Sequence, residues 1–172
     1  MFTVGHGTNR PEDFVDLLHR AGVDAVVDVR SYPGSRRHPW FAKDEMASWL
    51  REHDISYRWE PDLGGFRKPV PDSPNVALTS FKGYADHMRT DRFTQALARM
   101  VEEARRTPTA VMCAESLWWR CHRRLIADAA HLIWGVQVLH LLPGGRIEPH
   151  RPMPEARLDE QGLVVYDVVV DR

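Results

Sequence analysis

Two short segments hold most of the side chains able to do chemistry. MCAESLWWRCHRR carries Cys113, Glu115, Cys121, His122 and Arg123, and VDVRSYPGSRR carries Asp28, Arg30, Ser35, Arg36 and Arg37. Thiol, carboxylate and imidazole are the usual nucleophile, acid and base. Guanidinium groups fork onto carboxylate or phosphate. His6 stands between Gly5 and Gly7, where missing side chains let a ligand approach the backbone.

In the VDVR run, Asp28 and Arg30 flank Val29 and so share one face of a strand. Arg30 can reach a ligand with Asp28 orienting it. The alternative is an ion pair that pins the following loop. Either way, charges ending a buried strand are costly unless used or paired. Arg36 and Arg37 lie on a Pro/Gly-rich loop suited to folding over an anion.

In the second segment a strand delivers Cys113 and Glu115 into a loop, and a helix is expected to begin near Arg120, with His122 and Arg123 in its first turn. A helix N-terminus attracts anions and favours a thiolate. Glu115 is placed as general acid or base. The plainer alternative makes both cysteines buried filler and pairs Glu115 with an arginine. Cys113, Cys121 and His122, joined by His6 or Glu115, offer four metal donors, but their spacing is unlike structural zinc sites, and no metal is expected. Tyr32, Trp40, Tyr57, Trp59, Trp118 and Trp119 adjoin these groups. They offer stacking faces for a planar base, or simply core packing.

The elements that must position these residues alternate. Strands are expected at 2–5, 24–30, 55–59, 109–113 and 136–142, with a last one at 163–170, at an edge or packed on a partner. Helices are expected from Pro11 to Gly22 and at 43–53, 81–88, 92–105 and 120–132. Residues 61–80, with Gly64-Gly65 and several prolines, read as an irregular loop or lid. Residues 146–172 read as a C-terminal extension. The pattern predicts one α/β domain over 1–172, a Rossmann-like three-layer sandwich with a mostly parallel sheet of about five strands. Such sheets bind ligands past the carboxyl ends of their strands, which here are marked by His6, Arg30, Glu60, Cys113 to Glu115, and His140.

The bulk composition narrows the function classes. A chain of 172 residues with 43% hydrophobic and 27% charged residues is an ordinary single domain. Net charge −1 argues against general electrostatic capture of nucleic acid, though not against a local basic groove. Two cysteines are too few for a disulfide framework. No signal-peptide pattern opens the chain and no apolar run matches a membrane span. A cytoplasmic location with reduced thiols is the expectation.

Taken in order, GHG, GVDAVVDVRSYPGSRR, YRWEPDLGG, FKGYADHM, VMCAES with CHR, and HLLPGG run from Gly5 to Gly145. This set resembles the family called domain of unknown function 488. The resemblance implies an α/β fold. It implies that His6, Asp28, Arg30, Ser35, Arg36, Tyr57, Gly64, Gly65, Tyr84, Cys113, Glu115, Cys121, His122 and Arg123 matter. It supplies no substrate. The family's usual opening is Gly-His-Ser, so this chain lacks that hydroxyl at Gly7.

The expectation is an enzyme acting on a phosphorylated, base-containing ligand, a nucleotide or a nucleic acid, by hydrolysis or group transfer. Arg30, Arg36 and Arg123 would hold the anion, Glu115 would move a proton, and His6 or His122 would shuttle it or orient the substrate, with Cys113 the other reactive group. Ser35, Tyr57, Tyr84 and Cys121 would help bind. No dinucleotide fingerprint appears, and no cofactor can be named. The alternatives are a non-catalytic binding module for the same ligands, and a thiol or metal protein centred on Cys113, Cys121 and His122.

Overall fold

β-branched, fully buried runs form the centre of the sheet. Strand β2 (Ala25–Asp28) and strand β4 (Thr109–Cys113) are nearly without exposed residues, as expected of strands covered on both faces. The computed structural model describes residues 1–169. The remaining elements are β1 (Phe2–Gly5), α1 (Pro11–Arg20), α2 (Lys43–Glu52), β3 (Ser56–Trp59), α3 (Lys82–His87), α4 (Asp91–Arg106), α5 (Arg123–Trp134), β5 (Leu139–Leu141), β6 (Ile147–Pro149), β7 (Ala156–Leu158) and β8 (Val164–Tyr166).

The main sheet has the order β3-β2-β4-β1-β5-β6, with all pairs parallel except β5–β6. Helices α1 and α2 cover one face through Phe14, Leu18, Met46 and Leu50. Helices α4 and α5 cover the other through Phe93, Leu97, Met100, Leu125 and Ile126. This is the expected three-layer α/β sandwich. Local signals agree with it. Pro11 opens α1, Glu12 and Asp13 sit in its first turn, and Gly22 leaves it at φ +71°. Among the described residues no helix is long and apolar enough to cross a membrane.

The structure corrects four details. The sheet has six strands, because β6 lies within the polar stretch after Gly144 and Gly145 and returns antiparallel to β5. That short Ile-Glu-Pro strand has no period to read. The run expected as a strand at 163–170 is not at the edge of the main sheet. Its β8 pairs antiparallel with β7 in a separate two-stranded sheet lying against α5, and Val170 falls outside the described residues. The helix expected from Arg120 begins later. A 3-10 turn over Trp118–Arg120 ends in an extended Cys121, and α5 starts at Arg123 with His122 as its cap. Residues 61–80 open with a 3-10 turn at Pro61–Leu63, and the stretch after it is tied down. Val70, Ser73 and Asn75 all donate hydrogen bonds to the carboxylate of Asp86.

A polar chain crosses the buried layer between β1, β5 and α5. Arg123 donates to Thr3 Oγ1 (3.0 Å), and Thr3 contacts His140 Nδ1 (2.7 Å). His140 Nε2 contacts His150 Nδ1 (3.0 Å), and His150 Nε2 reaches Asp128 (2.8 Å), which also accepts from Tyr166 (2.9 Å). Arg123 can only donate, so Thr3 Oγ1 accepts from it. His140, between that cation and His150, is held neutral. Burial, with His150 and Arg123 adding to it, pushes the His140 imidazole down to about 3.

Two outcomes follow from this packing. A Cβ at Gly5 would lie 1.9 Å from the Glu115 carbonyl oxygen, whereas one at Gly34 would meet nothing within 4 Å. Gly5→Ala should lower urea stability by about 1–3 kcal/mol, while Gly34→Ala should stay within about 0.5 kcal/mol of wild type. The second outcome concerns pH. The unfolded chain protonates His140 near its ordinary value of 6.5, while the folded state refuses that proton until about 3. The contribution is complete above the upper value and lost as pH falls through the interval. Urea unfolding at a series of pH values should show stability declining by up to about 1.4 kcal/mol per pH unit from this group alone. A flat profile across that interval would contradict the neutral assignment.

Candidate active site

The register of the parallel strands decides which residues meet. Gly5 pairs with Cys113, and Asp28 pairs with both Met112 and Trp59. The loops after β1, β2 and β4 therefore leave the sheet along one rim. Together with residues 65–67 and α3, they enclose an open crevice of about 840 Å³. The β1 and β4 loops continue pairing past the strands, as His6 N–H donates to Cys113 O (2.9 Å) and Gly7 N–H to Ala114 O (3.0 Å). Gly5 permits this approach. At Gly7, φ is +52° and a Cβ would lie 2.2 Å from Ser116 Oγ. The Ser116 hydroxyl thus occupies the space that a side chain at position 7 would need.

Arg30 is clamped on one wall. Its Nε and Nη2 donate to the two oxygens of Asp28 (2.9 and 2.7 Å), and the fully buried Asp28 also accepts from Tyr57 Oη (2.5 Å). The indole of Trp59 donates to the Arg30 carbonyl (2.8 Å). Burial works against the Arg30 charge, but Asp28 more than offsets it and holds the guanidinium above its usual range. Burial and Asp28 likewise push the Tyr57 phenol up, so it stays a donor. Both sequence readings of Asp28 and Arg30 coexist: the pair is an ion pair and a crevice wall.

His6 lies beside this clamp, stacked on Phe41 with centroids 4.1 Å apart. Its Nδ1 bonds the Gly7 carbonyl (2.9 Å), and Arg30 Nη1 lies 3.3 Å from its Nε2. A carbonyl needs a donor and Arg30 is one, so His6 is the neutral Nδ1–H tautomer with Nε2 accepting. Burial lowers it to about 4, and Arg30 adds to this against the Gly7 carbonyl. The ring is therefore an acceptor at neutral pH and has no proton to give from Nε2.

The floor comes from the β4–α5 segment. The Cys113 and Cys121 sulfurs are in contact at 2.6 Å. His122 Nε2 bonds the Val29 carbonyl (3.0 Å), which leaves Nδ1 as an acceptor 3.5 Å from Cys121 Sγ. Burial holds this imidazole low as well. Its ring packs on Tyr84 (5.0 Å between centroids) and on Gly65, where a Cβ would stand 3.1 Å from Nδ1. Buried Tyr84 donates to Leu63 O (2.7 Å). Glu115 Oε1 accepts from the Leu117 N–H (3.0 Å), which fixes the carboxylate at the crevice.

Of the residues singled out from the sequence, His6, Arg30, Ser35, Tyr84, Cys113, Glu115, Cys121 and His122 line this one crevice. Asp28 and Tyr57 stand behind Arg30. Three expectations are corrected. Arg36 is exposed but does not line the crevice, whereas Arg37 does. Arg123 is fully buried beneath the floor and cannot touch a ligand. Glu60 pairs with Arg58 (2.6 Å) and Arg99 (3.3 Å) away from the crevice. The tryptophans are mostly packing; Trp118, for example, stacks on His140 at 4.0 Å.

Arg67, Arg120, Phe66 and Phe81 line the crevice without having been anticipated. The only sequence cue was Gly64-Gly65 just before Phe66. Phe66 has φ +58° and is 90% exposed, and its ring lies 6.2 Å from that of Tyr32, which is 78% exposed. Among the described residues no three His, Cys, Asp or Glu side chains converge to hold a metal.

No curated protein and no solved structure matches the chain. A family model described as "Domain of unknown function DUF488" matches residues 10–130. That span includes the aspartate–arginine clamp and both floor cysteines, and on it the chain belongs to the DUF488 family.

Proposed function

We propose that the crevice is the active site of an enzyme that takes a small phosphorylated, base-containing ligand and acts by hydrolysis or group transfer. The observation that carries this reading is the clamped Arg30. Burying a guanidinium and fixing it by both oxygens of a carboxylate is costly unless the geometry is put to use. Here the arrangement holds a planar donor group at a crevice wall without further loss of side-chain freedom on binding. Arg37, Arg67 and Arg120 line the same space, and no carboxylate lies within ion-pair distance of them among the described residues. A phosphate fits that field.

The aromatic pair at the mouth supports the base. Tyr32 and Phe66 present rings to solvent, and Phe66 does so from a left-handed backbone, a conformation that costs about 1–2 kcal/mol for such a residue. Open rings of this kind stack on a planar base. A net charge of −1 and a confined crevice favour a free nucleotide over nucleic acid. Glu115 is the acid or base, and His122 Nδ1 is the second acceptor in reach. His6 orients Arg30 and the substrate. The reading places the protein in the cytoplasm, where both thiols stay reduced.

Calorimetry with AMP and adenosine tests the anion site. AMP should bind at least ~10-fold more tightly than adenosine, and Arg37→Ala or Arg120→Ala should each weaken AMP by roughly 3–10-fold, with no change in urea midpoint. Equal affinity for the two ligands would remove the phosphate assignment. Glu115→Gln should keep AMP binding while turnover of nucleotide substrates, followed by phosphorus and proton NMR, drops at least ~100-fold. Binding with no product from any nucleotide would leave a binding module in place of an enzyme.

A further inference from the structure

The nucleotide reading makes no use of the two sulfurs on the crevice floor. Their surroundings differ from those of filler cysteines. Arg123 is fully buried, yet no carboxylate lies within ion-pair distance of it among the described residues. Its partners are Cys113 Sγ (2.9 Å from Nε), Thr3 Oγ1, and the carbonyls of Glu115 and Ser116. A buried guanidinium is costly without an anion nearby, and the groups beside it that can ionise are Cys113, on its Nε, and Cys121, whose sulfur touches that of Cys113 at 2.6 Å.

Helix α5 repeats the argument. Arg123 and Arg124 open it and no acidic residue stands in its first turn, an arrangement opposed to the helix dipole. An anion just ahead of the helix would offset both. Cys121 Sγ is at that place and accepts from the Arg123 backbone N–H (3.5 Å). Its neighbour His122 is held by the Val29 carbonyl in the tautomer that turns an acceptor nitrogen toward it. A nucleophile, a base and a carbonyl that orients the base form the arrangement expected of an activated thiol. Burial alone would raise Cys121. The Cys113 thiol and Arg123 overcome it and bring Cys121 down to about 7, while burial and the same contact push Cys113 up.

We propose that Cys121 and Cys113 form a dithiol–disulfide pair that exchanges with small disulfides bearing carboxylates. This activity does not rest on the nucleotide reading; it shares only the arginine rim. The Cys121 thiolate attacks one sulfur of RS–SR, and the Cys121–SR bond forms as the RS–SR bond breaks. The electron pair leaves on RS⁻, which takes the Cys121 proton by way of His122 Nδ1. Cys113, 2.6 Å from Cys121 Sγ, then loses its proton and attacks that sulfur. The Cys113–Cys121 bond forms, and a second RS⁻ leaves and takes the Cys113 proton. Two electrons pass from the protein to the disulfide, giving two RSH, and excess RSH reverses the sequence.

The substrate class follows from the same walls. The sulfurs lie at the bottom of a crevice, only 3% and 5% exposed, so a disulfide within a folded protein cannot reach them. Arg37, Arg67 and Arg120 face that space against the single carboxylate of Glu115, which selects anionic over cationic small molecules.

The test uses the reduced full chain with glutathione disulfide and, separately, the cationic disulfide cystamine. Glutathione disulfide should convert the wild type to an intramolecular Cys113–Cys121 disulfide with release of glutathione. Cys113→Ser should stop at a mixed disulfide on Cys121, and Cys121→Ser should be inert. Cystamine should react at least ~10-fold more slowly at low salt. Should either variant fail to fold, iodoacetamide labelling of the wild type with peptide mapping gives the same decision, and Cys121 should label ahead of Cys113. Two inert thiols, a reactive Cys121→Ser protein, or cystamine as fast as glutathione disulfide would overturn the proposal. The outcome is independent of AMP binding, so failure of one reading leaves the other standing.

Discussion

A single buried cation, Arg123, sets the architecture around the crevice. It sits at the first turn of α5 with no solvent contact, so every one of its donors must find a partner inside the protein. Those partners come from different parts of the chain: Thr3 on β1, Cys113 ending β4, and the carbonyls of the loop that follows. Satisfying one side chain therefore fixes the relative position of β1, β4, the Glu115 loop and the start of α5. Through Thr3, His140 and His150 the same cation is connected to Asp128 by a continuous chain of hydrogen bonds. Hydrogen bonds linked in this way strengthen one another. Each polar atom along that chain has a partner that an apolar residue in the same space would remove.

Much of this was legible beforehand because parallel sheets leave little choice. Once 2–5, 24–30 and 109–113 read as buried strands, their ends must share a rim, and His6, Arg30 and Cys113 follow from that. The motif residues were therefore found as a group. What was not legible is the direction an individual side chain takes. Arg36 and Arg37 are adjacent and alike in type, and only loop geometry sends one to the crevice. Arg123 reads as a surface residue by type, because hydrophobic patterning cannot register an arginine whose partners are far away in the chain. Phe66 is the reverse case, an apolar residue that the backbone at φ +58° turns out to solvent. Strand β6 was missed because three residues ending in proline carry no period.

The glycines carry more of the site than their lack of chemistry suggests. Gly5 allows the β1 and Glu115 backbones to touch, Gly65 lets the His122 ring pack against the loop, and Gly83 leaves room for the Arg67 carbonyl oxygen, from which a Cβ would stand only 2.1 Å away. Each position trades backbone entropy for closeness. The result is a crevice whose walls are polypeptide backbone as much as side chain, with hydrogen bonds from Ser31 to Gly65 O and from Arg67 to Gly64 O holding the loop. The side chains that line the crevice are thus positioned by close contacts between loops that belong to separate strands.

The charge distribution explains why a protein with net charge −1 can still carry a positive site. Arg30 is balanced by Asp28, and Arg123 is fully buried beneath the floor. Neither contributes much unpaired charge to the crevice. Arg67 spends its donors on the carbonyls of Gly64 and Pro61, which orient it without neutralising it. Arg37 and Arg120 have no carboxylate within ion-pair distance among the described residues. In a concave space with low-dielectric walls, these rim cations act with less screening than they would on a flat surface. Most of the acidic residues lie elsewhere, so the overall charge is the wrong quantity to consult. What lines the mouth is the guanidiniums of Arg37, Arg67 and Arg120, above a floor built from the segment that joins β4 to α5.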